Sequence, residues 1–71
     1  MPDWTKPVFS SNVSEISYQE DPPEMLVTFI KGGRYIYTGV PEDLATQCAN
    51  AASVGSFLNS EIKPYFQFRR G

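Results

Sequence analysis

Met25-Leu26-Val27-Thr28-Phe29-Ile30-Lys31-Gly32-Gly33-Arg34-Tyr35-Ile36-Tyr37-Thr38 is the stretch on which the fold turns. Two runs rich in β-branched and aromatic residues, Leu26 to Ile30 and Tyr35 to Thr38, flank a pair of glycines. Adjacent glycines can both take the positive φ that a type I′ hairpin turn needs. With Gly32 and Gly33 as the central residues, the pairing predicted is Lys31 opposite Arg34, Ile30 opposite Tyr35, Phe29 opposite Ile36 and Thr28 opposite Tyr37. This register puts Val27, Phe29 and Ile36 on one face, with Lys31 and Arg34 at the tip. Leu26, Ile30, Tyr35 and Tyr37 fall on the other. Both faces are then apolar, and a single helical layer covers only one, so the second is either covered by something else or is a binding surface.

Upstream, Ser10 to Gln19 alternates with period two: Ser14, Ile16 and Tyr18 on one side, Val13, Glu15 and Ser17 on the other, as in a strand with one buried face. The cluster Glu20-Asp21-Pro22-Pro23-Glu24 ends that strand as a loop. Pro2 and Pro7 make residues 1–8 an extended arm. Downstream, Pro41 suits the first position of a helix, and Glu42 and Asp43 complement its dipole. The helix is predicted to run to Ala52 with an apolar stripe of Leu44, Cys48, Ala51 and Ala52. Ser53 to Gly55 interrupts it, Ser56 is the expected N-cap of a short second helix holding Phe57, Leu58 and Ile62, and Pro64 stops that helix. Residues 64–71 fit a fourth strand, an aromatic arm or a disordered tail equally well. The fold class expected is α+β: a three-stranded antiparallel meander (10–19, 25–31, 34–39) against a helix over 41–52, with a short helix over 57–63.

A chain of 71 residues makes one small domain, near the lower end of what folds alone, which excludes a two-domain reading and most enzymes. With 41% apolar and 20% charged residues it has a globular composition. It contains no His and one Cys, so no disulfide, Cys/His zinc site, Ser-His pair or Cys-His pair can form within the chain. Neither catalysis nor a cofactor or metal is expected. The lone thiol fits a reducing compartment, no apolar run is long enough to span a membrane, and the first residues lack the character of a secretion signal; the expected location is cytoplasmic. The formal charge of −2 argues against general attraction to phosphate backbones. It is unevenly spread: residues 1–30 hold one base and five acids, residues 31–71 five bases and three acids, so any anion contact belongs to the second half.

The order Ser10-Ser11-Asn12-Val13, Tyr35-Ile36-Tyr37, Val40-Pro41 and then Gly55-Ser56-Phe57-Leu58-Asn59-Ser60-Glu61-Ile62-Lys63 resembles the KTSC domain, over roughly residues 9–65. That family takes its name from a segment at the C-terminus of some lysyl-tRNA synthetases and also occurs as free-standing small proteins of bacteria and phages. Tyr35 and Tyr37 match its central Tyr-x-Tyr, and Leu58 stands where a second aromatic is expected. The resemblance implies a binding domain with no assigned catalytic residues and RNA as its ligand.

The candidate binding residues are Tyr35, Tyr37, Arg34, Asn59, Lys63 and Arg69. Two tyrosines on one side of a strand suit base stacking, and equally suit a core beside Leu26 and Ile30. Lys31 and Arg34 at the tip, with Lys63, Arg69 and Arg70, have the charge to hold one or two phosphates, or form a solvated tip and tail. Asn59 and Lys63, four apart on a helix, face the same way and suit an anion or carbonyl; Asn59 alternatively satisfies the preceding loop. Glu42 and Asp43 diverge on the helix and are dipole partners, and Cys48, without a cationic neighbour on its helix, is expected to be packed. The reading is a non-catalytic module binding RNA or a nucleotide. The rival is a protein-interaction module of phage type, carried by Glu20, Asp21 and Glu24 toward a basic host protein or built as a homo-oligomer that sequesters a nucleotide. The aromatics Trp4, Phe9, Phe66 and Phe68 near the two ends fit self-association.

Overall fold

The computed structural model describes residues 3–71. Five strands, β1 Trp4–Pro7, β2 Val13–Gln19, β3 Glu24–Phe29, β4 Arg34–Thr38 and β5 Phe68–Arg70, form one antiparallel sheet in chain order. Between β4 and β5 run α1 Glu42–Asn50, α2 Val54–Phe57 and a π-helical turn Leu58–Ile62. The expected α+β class holds, and the three-stranded meander becomes five strands. The predicted arm is an edge strand from Trp4 onward, its first two residues lying outside those described. The tail is the opposite edge, held to β4 by Thr38 N donating to Gln67 O and Gly71 N to Arg34 O, each at 2.9 Å.

The hairpin register differs from the type I′ expectation. Thr28 pairs with Arg34, Val27 with Tyr35, Leu26 with Ile36 and Met25 with Tyr37. Only Gly32 has positive φ, +102°. Gly32 N donates to Phe29 O at 2.9 Å and Phe29 N to Gly33 O at 2.8 Å, closing a three-residue loop, Ile30-Lys31-Gly32, whose last residue takes the left-handed conformation. Displacing the pairing by an odd number of residues exchanges the faces of one strand relative to the other. Met25, Val27, Phe29, Tyr35 and Tyr37 therefore turn toward the helices, and Leu26, Thr28, Arg34 and Ile36 share the outer face. Ile30, expected beside the tyrosines, is exposed in the loop.

A second irregularity corrects β2. The pairing shifts between Val13 and Glu15, so Ser14 is an extra residue. Val13 thereby joins Ile16 and Tyr18 in the core instead of opposing them, and Ser14 is exposed. Ser17 is buried on the outer side with its hydroxyl 2.9 Å from Thr5 Oγ1.

The core joins Val13, Ile16, Tyr18, Met25, Val27 and Tyr37 of the sheet to Ala45, Cys48 and Ala49 of α1 and to Val54, Leu58 and Ile62 beyond it. Small residues on α1 let it lie close to β2. It ends at Asn50, because Ala51 is already extended, so Ala51 and Ala52 leave the predicted stripe. Pro41 has ψ 153° and occupies the N-cap, so the helix starts at Glu42, one residue later than expected. Both ends of α1 are tied to β1, by Trp4 Nε1 donating to Glu42 Oε2 at 3.1 Å and by Lys6 Nζ donating to Asn50 Oδ1. Ser53, instead of Ser56, caps α2, its hydroxyl accepting from Ser56 N.

Tyr18 OH donates to the Val40 carbonyl at 2.8 Å, whereas the buried Tyr37 OH has no hydrogen-bond partner among the described residues. Burial, foremost, raises the pKa of both phenols and pushes the Cys48 thiol up to about 11.

Three predictions follow from this core and loop. Gly32→Ala will destabilise the domain by about 1–2 kcal/mol in urea titrations, the cost of a Cβ at positive φ, while Gly33→Ala stays within about 1 kcal/mol of the parent. Tyr18→Phe will cost about 1–3 kcal/mol by stranding the Val40 carbonyl, and Tyr37→Phe close to nothing, having no bond to lose. All three buried acids hold their protons more tightly folded than unfolded. Their contribution is therefore intact at neutral pH and declines as pH rises past the ordinary thiol value of 9.0 toward 11. Melts from pH 7 to 11 will show stability falling at the alkaline end, with Cys48→Ala making the fall shallower.

Candidate functional site

At the hairpin-tip end of the sheet lies an open groove of about 620 Å³. The loop supplies Gly32 and Gly33, β3 supplies Phe29, β4 supplies Arg34 and Tyr35, the end of the π-helical turn supplies Lys63, and the last strand supplies Arg70 with Gly71 behind it. Tyr35 is paired with Arg70 across the β4–β5 ladder, which sets that guanidinium on the tyrosine's face of the sheet. The Tyr35 ring packs edge-on to Phe29, centroids 5.3 Å apart, and against Phe68 at 4.9 Å, so its orientation is held from both sides. Gly33 leaves open space where a Cβ would stand. Lys63, Arg70 and two aromatic rings thus line one concavity, with Arg34 bordering it from the outer face of the sheet, and no carboxylate lines it among the described residues.

Six of the eight acids are at the other end. Asp3, Glu20, Asp21, Glu24, Glu42 and Asp43 gather at the opposite end of the sheet, where the β2–β3 turn, the start of β1 and the start of α1 meet. Asp3 Oδ2 accepts from Glu20 N at 2.6 Å, and Gly39 N donates to Pro23 O across the same end. Most of the uneven charge along the chain becomes a separation between the two ends of the sheet, Glu15 and Glu61 being the exceptions.

The groove brings together Arg34, Tyr35 and Lys63 of the six residues named from sequence. The other three are placed elsewhere. Tyr37 is fully buried beneath Phe68, centroids 5.6 Å apart, so its ring is closed to a ligand. Arg69 lies on the outer face, its Nη1 2.9 Å from Glu24 Oε2, because successive residues of a strand alternate sides. That pair also engages one of the three acids of the interaction reading. Asn59 lines a separate polar hollow with Ser10, Ser11 and Asn12. The π-helical turn, closed by Lys63 N donating to Leu58 O at 2.9 Å, intervenes between Asn59 and Lys63 and breaks the facing expected of an α-helix.

Phe29 is not among the residues expected from sequence, and Arg70 is there only as one of five basic residues. The assumed register put Phe29 on the face opposite Tyr35, and Arg70 was legible only if Phe68-Arg69-Arg70 is read as a strand, whose alternation sends Arg69 and Arg70 to opposite sides.

The remaining reactive groups have structural engagements. Glu42 accepts from the Trp4 indole and Asp43 Oδ1 from Leu44 N at 3.0 Å. Cys48 is wholly buried with a raised pKa. Among the described residues no group of three or more His, Cys, Asp or Glu is placed to hold a metal ion, and no helix is long and apolar enough to cross a membrane.

Comparison with known proteins agrees with this architecture. The family model of the KTSC domain matches residues 9–66. A protein of Tsukamurella paurometabola is 34% identical over 64 residues, covering 87% of this chain and 92% of its own. The crystal structure of a KTSC domain protein from Yersinia pestis superposes with a TM-score of 0.87 at 34% identity, over 96% of each chain. With its five-stranded sheet, its Tyr-x-Tyr strand and a match spanning most of its length, the chain belongs to the KTSC domain family.

Proposed function

We propose that this protein is a non-catalytic binding domain that takes a nucleotide unit in the groove at the hairpin tip, RNA being the ligand class that the family resemblance implies. The base lies against Tyr35 and Phe29, and the phosphate sits between Lys63 and Arg70, with Arg34 at the rim. The observation that carries this reading is the meeting of Lys63 and Arg70 with two aromatic rings at one concavity, Arg34 on its rim, with no acid in its lining among the described residues. Stacking on an aromatic ring accepts any base, and a guanidinium fork matches the geometry of phosphate oxygens. The overall charge of −2 does not oppose such binding, because six acids stand at the far end of the sheet and exposed charges beyond about 10 Å are screened at ordinary salt.

Titration with a nucleoside monophosphate and with a short single-stranded RNA at low salt tests the reading. Arg34→Ala and Tyr35→Leu are each expected to weaken binding about tenfold. Gly33→Val, which places a branched side chain in the groove without altering charge, will weaken it while leaving the denaturation midpoint near that of the parent. The log–log salt slope for RNA should be about −2, as for up to three neutralised phosphates on a single strand. Affinities unchanged in all three variants would exclude this groove.

A further inference from the structure

We infer that the groove is one end of a longer track that takes an extended single strand of nucleic acid, with Asn12 and Asn59 reading a base edge at its far end. This rests on the reading of the groove as a nucleotide site and extends it. Three hollows adjoin around the hairpin-tip end. The basic groove shares Phe29 with a hollow of about 240 Å³ completed by Ile30, Lys31, Ser11 and Asn12. That hollow shares Ser11 and Asn12 with a third, of about 340 Å³, in which Asn59 stands beside Phe9. The two loops that meet in the middle are joined, Ile30 N donating to Asn12 O at 2.9 Å. No acidic side chain lines any of the three among the described residues.

The chemistry changes along the track in a direction that suits a strand. Cations and aromatic rings occupy one end, Lys31 and the exposed Ile30 the middle, and neutral amides and hydroxyls the far end. Phosphate contacts position a nucleic acid and base-edge contacts specify it. At the far end some polar groups are already committed: Ser10 Oγ accepts from Asn12 N and Val13 N, and Ser53 Oγ from Ser56 N. The exposed side-chain amides of Asn12 and Asn59 make no hydrogen bond among the described residues, and each offers an acceptor and a two-proton donor, the pattern that pairs with a base edge. Phe9 beside them is fully exposed and presents a ring face. The two segments singled out in the sequence, Ser10 to Asn12 and Gly55 to Lys63, therefore meet at one hollow that a mononucleotide in the basic groove leaves empty.

Calorimetric titration of the full chain with uridine monophosphate, and with four- and eight-nucleotide single strands of mixed sequence in ribo and deoxyribo forms, tests the inference. The eight-nucleotide strand is expected to bind at least about tenfold more tightly than the monophosphate, since each further stacked base adds affinity. Asn12→Ala and Asn59→Ala, both at exposed positions, should weaken the eight-nucleotide complex about fivefold or more and leave the monophosphate affinity unchanged. A ribo preference assigns RNA, and equal affinities assign any single strand. If the monophosphate binds but length and the asparagines have no effect, the track is overturned while the groove stands. If neither monophosphate nor strand binds, the groove reading falls and the track with it.

Discussion

The positive φ at Gly32 is the constraint on which the rest of the molecule depends. It closes the β3–β4 loop in three residues and so decides which residues of β4 face inward. Tyr37 then enters the core, Tyr35 stands at its margin, and Arg34 is left beside the loop with the glycines for a floor. A two-residue turn would have sent Thr28 opposite Tyr37 and dispersed the aromatic cluster over two faces. The bulge at Ser14 does comparable work in β2, aligning Val13 with Ile16 and Tyr18 so that one helical layer suffices to cover the buried face. The outer face needs no second layer: Leu26 and Ile36 are half-buried and surrounded by Ser17, Thr28, Arg34 and the Glu24–Arg69 pair.

Separation of charge along the strands lets an acidic protein carry a basic groove. Averaged over the chain, acids outnumber bases. Along the sheet, the β2–β3 turn and the start of α1 are acidic, while the β3–β4 loop, Lys63 after the π-helical turn and the end of β5 are basic. An anion approaching the tip meets a local field opposite in sign to the net charge, and such fields govern encounter more than the total does.

Much of this was legible in the residues. The hairpin, the proline-rich loop, α1 and the α+β class follow from alternation, turn chemistry and capping, and the ordered motifs point to the family that the comparisons bear out. What sequence periodicity did not deliver was phase. A glycine pair does not say whether one or both members take positive φ, and a single extra residue such as Ser14 reverses the alternation on which face assignments rest. The two edge strands were obscured for another reason. Trp4–Pro7 and Phe68–Arg70 are short, and the second gains its place from tertiary contacts with Tyr35 and Tyr37. Arg34 and Tyr35 lie at the tip in either register, and with Lys63 they line or border the groove. Arg70 and Phe29 needed the pairing itself.

The modest hold on β5 has a consequence for how the groove works. Its three residues are all exposed, and it is fastened by the Phe68 ring, one exposed ion pair and a short ladder. Elements of this kind open far more often than the core unfolds. Each opening withdraws Arg70 and dismantles one wall of the groove. A ligand bridging Arg70 to Arg34 and Lys63 would therefore close the strand as it binds, so that amide protons of the C-terminal segment exchange more slowly in the complex than in the free protein. Part of such a ligand's binding free energy would then go into ordering the edge of the sheet, and its affinity would be tied to the local stability of that least secure strand.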